Sequence, residues 1–207
     1  MKTRSFLLIW MCAGLLTSCS LSYISKNTLK PLLITDRVRS DSDDPAIWVN
    51  RKDTSESLII GTDKGGDTGE GGLYVFNLHG KIDSTKTVML KRPNNVDVAY
   101  DFNFIGEKKD IAVCTERNTN SIRVFSLPDM KAIDGGGIPV FEDSDMRSPM
   151  GIALYTDEKG SIFAIVGRKS GPMEGYLYQY KLISDESGRV SASLLRKFGK
   201  LSGRKEI

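Results

Sequence analysis

Residues 110–127 read DIAVCTERNTNSIRVFSL: an apolar run, a polar loop opening on Arg117, and a second run rich in β-branched residues that carries Phe125. Two such runs around a short polar stretch read as a β-hairpin. The same unit occurs upstream in SLIIGTDKGGDTGEGGLYVF (57–76), with Lys64 in the loop and Tyr74 and Phe76 beyond it. It occurs again downstream in SIFAIVGRKSGPMEGYLYQYKL (161–182), with Lys169 in the loop and Tyr178 and Tyr180 beyond it.

The three basic residues lie 53 and 52 residues apart, and the aromatic residues Trp48, Tyr100 and Tyr155, which close the strand opening each unit, lie 52 and 55 apart. Further short runs, AIWV, GIALY and VSASLLRKF, fit strands, and none sustains a helical period. The chain is therefore read as all-β. A period near 50 residues with about four strands per unit predicts a β-propeller. Propellers close with about 4 to 8 blades, whereas this chain holds three units and ends at RKEI as another opens. Three blades leave an edge strand and apolar surface uncovered, so the sequence is expected to be the N-terminal part of a longer one.

With 207 residues, 40% hydrophobic and 27% charged, the chain suits one globular domain preceded by a leader. Lys2 and Arg4 form a basic start, residues 6–16 an apolar run shorter than the about 20 residues of a membrane span, and Leu16-Thr17-Ser18 leads into Cys19. The expected division is a signal peptide at 1–18, a tether at 19–29 and a partial propeller at 30–207. Without Lys2 and Arg4 the mature chain carries 27 basic against 26 acidic residues, which offers no global field for nucleic acid. Of the three cysteines, Cys12 falls in the leader and Cys114 inside a strand as a buried thiol, so disulfides do not staple the fold.

Residues 41–50, DSDDPAIWVN, crowd carboxylates at the mouth of a strand. Calcium needs six to eight oxygen ligands from separate segments, and Asp41, Asp43 and Asp44 ahead of Pro45 can supply fixed anionic oxygens. A solvated turn before a strand explains the same residues.

The segments SDDPAIWVN, LIIGTDKGG, GLYVFNLHGK, NNVDVAYDF, DIAVCTERNTNSIRVF and GIALY together resemble the first half of a β-propeller phytase. The resemblance implies a six-bladed, calcium-dependent phosphatase of myo-inositol hexakisphosphate (phytate) or related inositol phosphates. It implies metal ligands at Asp43 and Asp44, closure of the site by the backbone around Val96, and an acidic active-centre role for Glu206, with Glu206 and Asp43 serving catalysis. It assigns Lys64, Arg117 and Lys169 to substrate phosphates, around a calcium-activated water that attacks one phosphate while a neighbouring one is held. LTSC resembles the lipobox of bacterial lipoproteins, implying acylation of Cys19 and a lipid anchor to the cell envelope, with Ser20 compatible with the outer membrane. A plain secretory signal is the alternative.

One departure concerns Met150, in SPMGIALY, where family members commonly carry a tyrosine; methionine donates no phenolic hydrogen bond. A calcium-bound propeller acting as a non-catalytic binding or surface module is therefore the alternative function. Other phosphatase chemistries lack their residues. The single histidine, His79, sits in a turn, and Arg117 follows Cys114 too closely for a cysteine-phosphatase loop. KGGDTGEGG lacks the Gly-Lys-Ser/Thr ending of a nucleotide loop and the spacing of an EF-hand, and reads as a flexible hairpin loop.

Overall fold

A computed structural model describes residues 29–200. The expected signal peptide (1–18), all but the last residue of the expected tether (19–29), with Cys19, and the terminal segment with Glu206 lie outside the described residues. The chain separates into a unit ending at Leu32 and a second unit, Leu33–Ile207; the description below concerns the second.

Among the described residues, twelve strands form three antiparallel sheets of four, each built from consecutive strands in simple up-and-down order. Blade one comprises β1 (Ser42–Trp48), β2 (Leu58–Asp63), β3 (Glu70–Phe76) and β4 (Val88–Lys91). Blade two comprises β5 (Pro93–Phe104), β6 (Glu107–Glu116), β7 (Ser121–Leu127) and β8 (Ile138–Pro139). Blade three comprises β9 (Pro149–Thr156), β10 (Ile162–Arg168), β11 (Glu174–Ser184) and β12 (Val190–Lys200). This is the blade arrangement of a β-propeller, with the inner strands β1, β5 and β9 side by side.

Burial explains the sequence pattern. Ala112, Cys114, Phe125 and Leu127 of blade two join Trp48, Ile60, Leu73 and Val75 of blade one in one core. Ile111, Val113, Ile122 and Val124, on the other side, join Ala164, Val166, Tyr178 and Tyr180 of blade three in a second. With both faces covered, residues 111–116 of β6 are buried without a break, so the run lacks alternation. The outermost strand β12 exposes Leu194 and Leu195, as expected of an uncovered edge. Cys114 is buried and unbridged, and burial, followed by the nearby Glu116 charge, pushes its thiol well above the ordinary range.

Two short outer strands, β4 and β8, are invisible to a search for β-branched runs, because VMLK and IP are four and two residues long. The glycine-rich loop after Lys64 is a hairpin, but hydrogen bonds brace it where flexibility was expected. Gly69 N–H donates to Gly65 O (3.1 Å), and Arg92 reaches across from blade two through its amide to Gly69 O (2.6 Å) and its Nη1 to Gly66 O (3.0 Å). Its glycines answer close approach: a Cβ at Gly71 would lie 1.8 Å from the Asp63 carbonyl, and Gly65 adopts φ +78°.

Candidate functional site

The hairpin register places the three basic residues identically. Each follows the second strand of its blade and donates its amide to the carbonyl just ahead of the inner strand: Lys64 to Asp41 (2.9 Å), Arg117 to Arg92 (3.0 Å) and Lys169 to Ser148 (2.9 Å). The pairs Ser42 with Asp63, Pro93 with Glu116 and Pro149 with Arg168 confirm the alignment. The starts of the inner strands and all three bases therefore lie on one rim of the sheets. By the same register, Asp43, Asn94 and Met150 occupy equivalent places, as do Asp44, Asn95 and Gly151.

Two recurring bonds seal the junctions between blades at this rim. The Thr62 hydroxyl accepts from the Asp44 amide (2.9 Å) and donates to the Asn94 carbonyl of blade two (2.7 Å). Thr115 repeats this, accepting from the Asn95 amide (3.2 Å) and donating to the Met150 carbonyl of blade three (2.7 Å). Carboxylates supply the second bond: Asp44 Oδ2 accepts from Val96 N–H (3.0 Å), and Asp97 Oδ2 accepts from Leu154 N–H (2.7 Å).

Within the acidic cluster Asp44 bonds across to the next blade, while Asp43 is exposed. Asp44 is tied to Val96, bringing together two of the expected ligand positions. Lys64 Nζ lies 3.3 Å from Asp43 and 3.4 Å from Asp41, so the expected phosphate contact and an expected metal ligand meet directly. Asp63, wholly buried, accepts the amides of Ser40 (3.0 Å), Asp41 (2.7 Å) and Gly65 (2.9 Å) and so fixes the lead-in to β1. Among the described residues, no three Asp, Glu, His or Cys side chains stand grouped as metal ligands. Asn94, at the Asp43 position of blade two, is fully buried, and neither its Oδ1 nor its Nδ2 has a hydrogen-bond partner among the described residues.

Arg117 opens a 3-10 turn, Arg117–Thr119, closed by Asn120 in the left-handed region (φ 53°). The turn is set by Glu116, whose buried carboxylate accepts from the Lys91 amide (2.7 Å), the Thr119 hydroxyl (3.0 Å) and Arg123 Nη1 (3.3 Å). Arg123 is held in turn by the fully buried Asp134 (2.7 Å). Burial alone would lower the Arg123 pKa, but the Asp134 hydrogen bond and the charges of Asp134 and Glu116 hold it above its usual value. Arg117, Lys169 and Lys64 are all half-buried.

Asp63, Glu116 and the two threonines escaped notice in the sequence. The usable signal was the charged residue ending each apolar run just before the base.

The Phytase family model matches residues 1–207. The 3-phytase of Bacillus subtilis (strain 168) is 32% identical over 216 residues, covering 96% of this chain and 53% of that protein. The chain spans about half the length of this curated relative. The match over the full chain, together with a relative 32% identical across nearly all of it, makes this protein a member of the phytase family.

Proposed function

We propose that the polypeptide is a calcium-dependent phosphomonoester hydrolase acting on phytate or related inositol phosphates. The observation that carries the reading is the shared register of Lys64, Arg117 and Lys169 on the rim where Asp43, Asp44 and Val96 meet. Three cations from three blades suit a ring carrying several phosphates, since each base contacts one face of the polyanion.

The residues fit calcium by donor chemistry. Asp43, Asp44 and the Val96 carbonyl supply only hard oxygens, and Glu206 would add another carboxylate. The Asn94 side-chain amide, two residues ahead of Val96 and without a hydrogen-bond partner among the described residues, has a further buried oxygen. When bound, calcium supplies charge neutralisation and lowers the pKa of a coordinated water. The chain's residues do the rest. Lys64, Arg117 and Lys169 orient the phosphates, while Asp43 and Glu206 hold the reacting end and exchange the proton. Water oxygen bonds to phosphorus, the ester oxygen–phosphorus bond breaks, and the inositol oxygen leaves with a proton.

The test is phosphate release from inositol hexakisphosphate by the complete polypeptide, with calcium and with chelator. Release in calcium that chelation abolishes is expected, and Lys64→Met and Arg117→Met should each reduce it at least tenfold. No release despite bound calcium refutes the enzyme reading. It would leave the non-catalytic module, whose supporting observation is Met150 in place of a phenol at the position equivalent to Asp43. We also propose export and lipid attachment at Cys19 in a bacterial envelope, because Leu16-Thr17-Ser18 precedes it. Metabolic labelling with a fatty acid should mark the wild type and spare Cys19→Ala.

A further inference from the structure

Each rim base is preceded by a buried ionisable residue: Asp63, Glu116 and Arg168 are 0%, 3% and 1% exposed. Strand pairing sets the three at one place in their blades. In blades one and two a carboxylate fills that place and collects N–H donors of the lead-in, Asp63 from Ser40 and Asp41 and Glu116 from Lys91. In blade three the charge is reversed.

The Arg168 guanidinium lies against Phe141 and Tyr178, 4.2 and 4.8 Å from the ring centroids, and its Nη1 donates to Ser144 Oγ at 2.8 Å. Its Nε and Nη2 are buried and have no hydrogen-bond partner among the described residues. Those two nitrogens form one edge of the planar fork, the edge that receives a carboxylate or phosphate through two parallel bonds. Arg123 shows the same edge filled: its Nε and Nη2 lie 2.7 and 3.4 Å from the two oxygens of Asp134. Guanidinium does not deprotonate, so burial cannot be relieved by neutralisation. Aromatic faces attract the cation, but they leave two N–H donors unsatisfied.

We propose that Arg168 is an oxyanion-binding residue whose Nε/Nη2 edge takes two oxygens of a phosphate group. Blades one and two carry a carboxylate at the equivalent position and so offer no such edge. Ser144 fixes the plane of the fork by holding Nη1. The choice of phosphate rests on the reading that this rim faces a phosphorylated substrate, because Lys169 is the next residue. The loop passes directly over the side chain, since a Cβ at Gly171 would lie 2.4 Å from Arg168 Cδ. The phosphate is either free orthophosphate or one ester phosphate of the substrate.

The experiment measures calorimetric binding to the complete polypeptide in chelator at fixed ionic strength, using orthophosphate in one arm and inositol hexakisphosphate in the other. Thermal unfolding is followed with and without orthophosphate. Arg168→Met should weaken binding at least tenfold in one or both arms, Arg168→Lys by less, and the surface control Lys131→Gln by under twofold. Loss in the orthophosphate arm assigns the site to the free ion; loss confined to the other arm assigns it to an ester phosphate. Arg168→Met should also melt no lower than wild type in phosphate-free buffer, since it removes an unpaired buried charge. Wild-type binding in both arms, or a melting temperature lowered equally with and without phosphate, overturns the proposal. Absence of calcium-dependent phosphate release with Arg168-dependent binding intact would sink the enzyme reading and leave this site standing.

Discussion

Thr115→Val isolates the junction between blades two and three. The Thr115 hydroxyl is fully buried and makes two bonds, one from the Asn95 amide at 3.2 Å and one to the Met150 carbonyl at 2.7 Å. Valine has nearly the same shape but satisfies neither group. A stranded backbone group costs about 1–3 kcal/mol when buried. Asn95 and Met150 are only half-buried, so water recovers part of this, and the added methyl gains a little. The net cost should be about 2 kcal/mol. Thr115→Ser keeps both bonds and removes one methyl, which should cost about 1 kcal/mol or less. In urea unfolding of the complete polypeptide, with a slope near ~2 kcal/mol/M, valine should lower the midpoint by about 1 M and serine by under half that. Arg117 and Lys169 sit on opposite sides of this junction, so Thr115→Val should also raise the KM for phosphate release more than it lowers kcat. If serine costs more than valine, methyl packing holds the junction and the hydrogen-bond account fails.

Three further outcomes follow from other contacts. Asp110→Ala removes the acceptor for Trp48 Nε1 (2.8 Å), Arg51 (3.1 Å) and the Asp101 amide (3.0 Å) at the opposite rim, and should cost about 2–3 kcal/mol in the same urea assay; a loss under ~0.5 kcal/mol refutes the latch. The Lys86 and Thr85 hydrogen bonds hold the Asp83 carboxyl down to about 2, so its contribution is present above the ordinary carboxylate range and lost as pH falls through about 2. The stability gap between wild type and Asp83→Asn, under about 1 kcal/mol because the side chain is partly exposed, should therefore close between about pH 4 and 2; a gap unchanged at low pH contradicts the linkage. Burial pushes the Tyr180 phenol up to about 12, so stability is full below pH ~10 and falls as pH rises through about 12. Tyr180→Phe, which also strands the Phe141 amide, should lose about 1–2 kcal/mol at neutral pH and lack the alkaline decline; an unchanged alkaline limb would remove Tyr180 from it.

The repeat was legible because it is written in side chains that the blade cannot exchange. Each apolar run must fill the space between sheets, and each loop base follows at a fixed distance along it, so Lys64, Arg117 and Lys169 could be aligned from spacing alone. The strands β4 and β8 were not legible, because short outer strands pair through backbone and need no distinctive residues. Thr62 and Thr115 were hidden for another reason. A threonine in a strand reads as β propensity, and only the neighbouring blade shows that its hydroxyl bridges two sheets. Asp63 likewise looked like one more loop carboxylate, whereas the fold buries it as the clamp on the β1 lead-in. The glycine run misled in the opposite direction. Composition suggested slack, but Gly71 is there because Asp63 approaches too closely for any side chain.

The rim is built by repetition, and its function lies where repetition fails. Blades one and two carry a threonine and a carboxylate that bond to the next inner strand. At the matching places blade three has Gly167 for the threonine, Gly151 where blade one has Asp44, and Ala153 where blade two has Asp97. Its outer side instead exposes Tyr155, Leu194 and Leu195. Blade three therefore lacks both polar latches, and contact on that side depends on apolar area, which is non-directional. It also breaks the pattern inside the rim, with Met150 at the Asp43 position and Arg168 at the Asp63 position. Blade three thus carries a thioether and a guanidinium at the places where blade one carries acids. The rim therefore divides into a carboxylate-rich sector around Asp41, Asp43 and Asp44 and a cationic sector around Arg168 and Lys169. Under the proposed function, a phosphate ester bridging them would meet carboxylate oxygens at one end and cationic nitrogens at the other. A hydrolase needs that polarity to hold one phosphate while a neighbouring phosphate reacts.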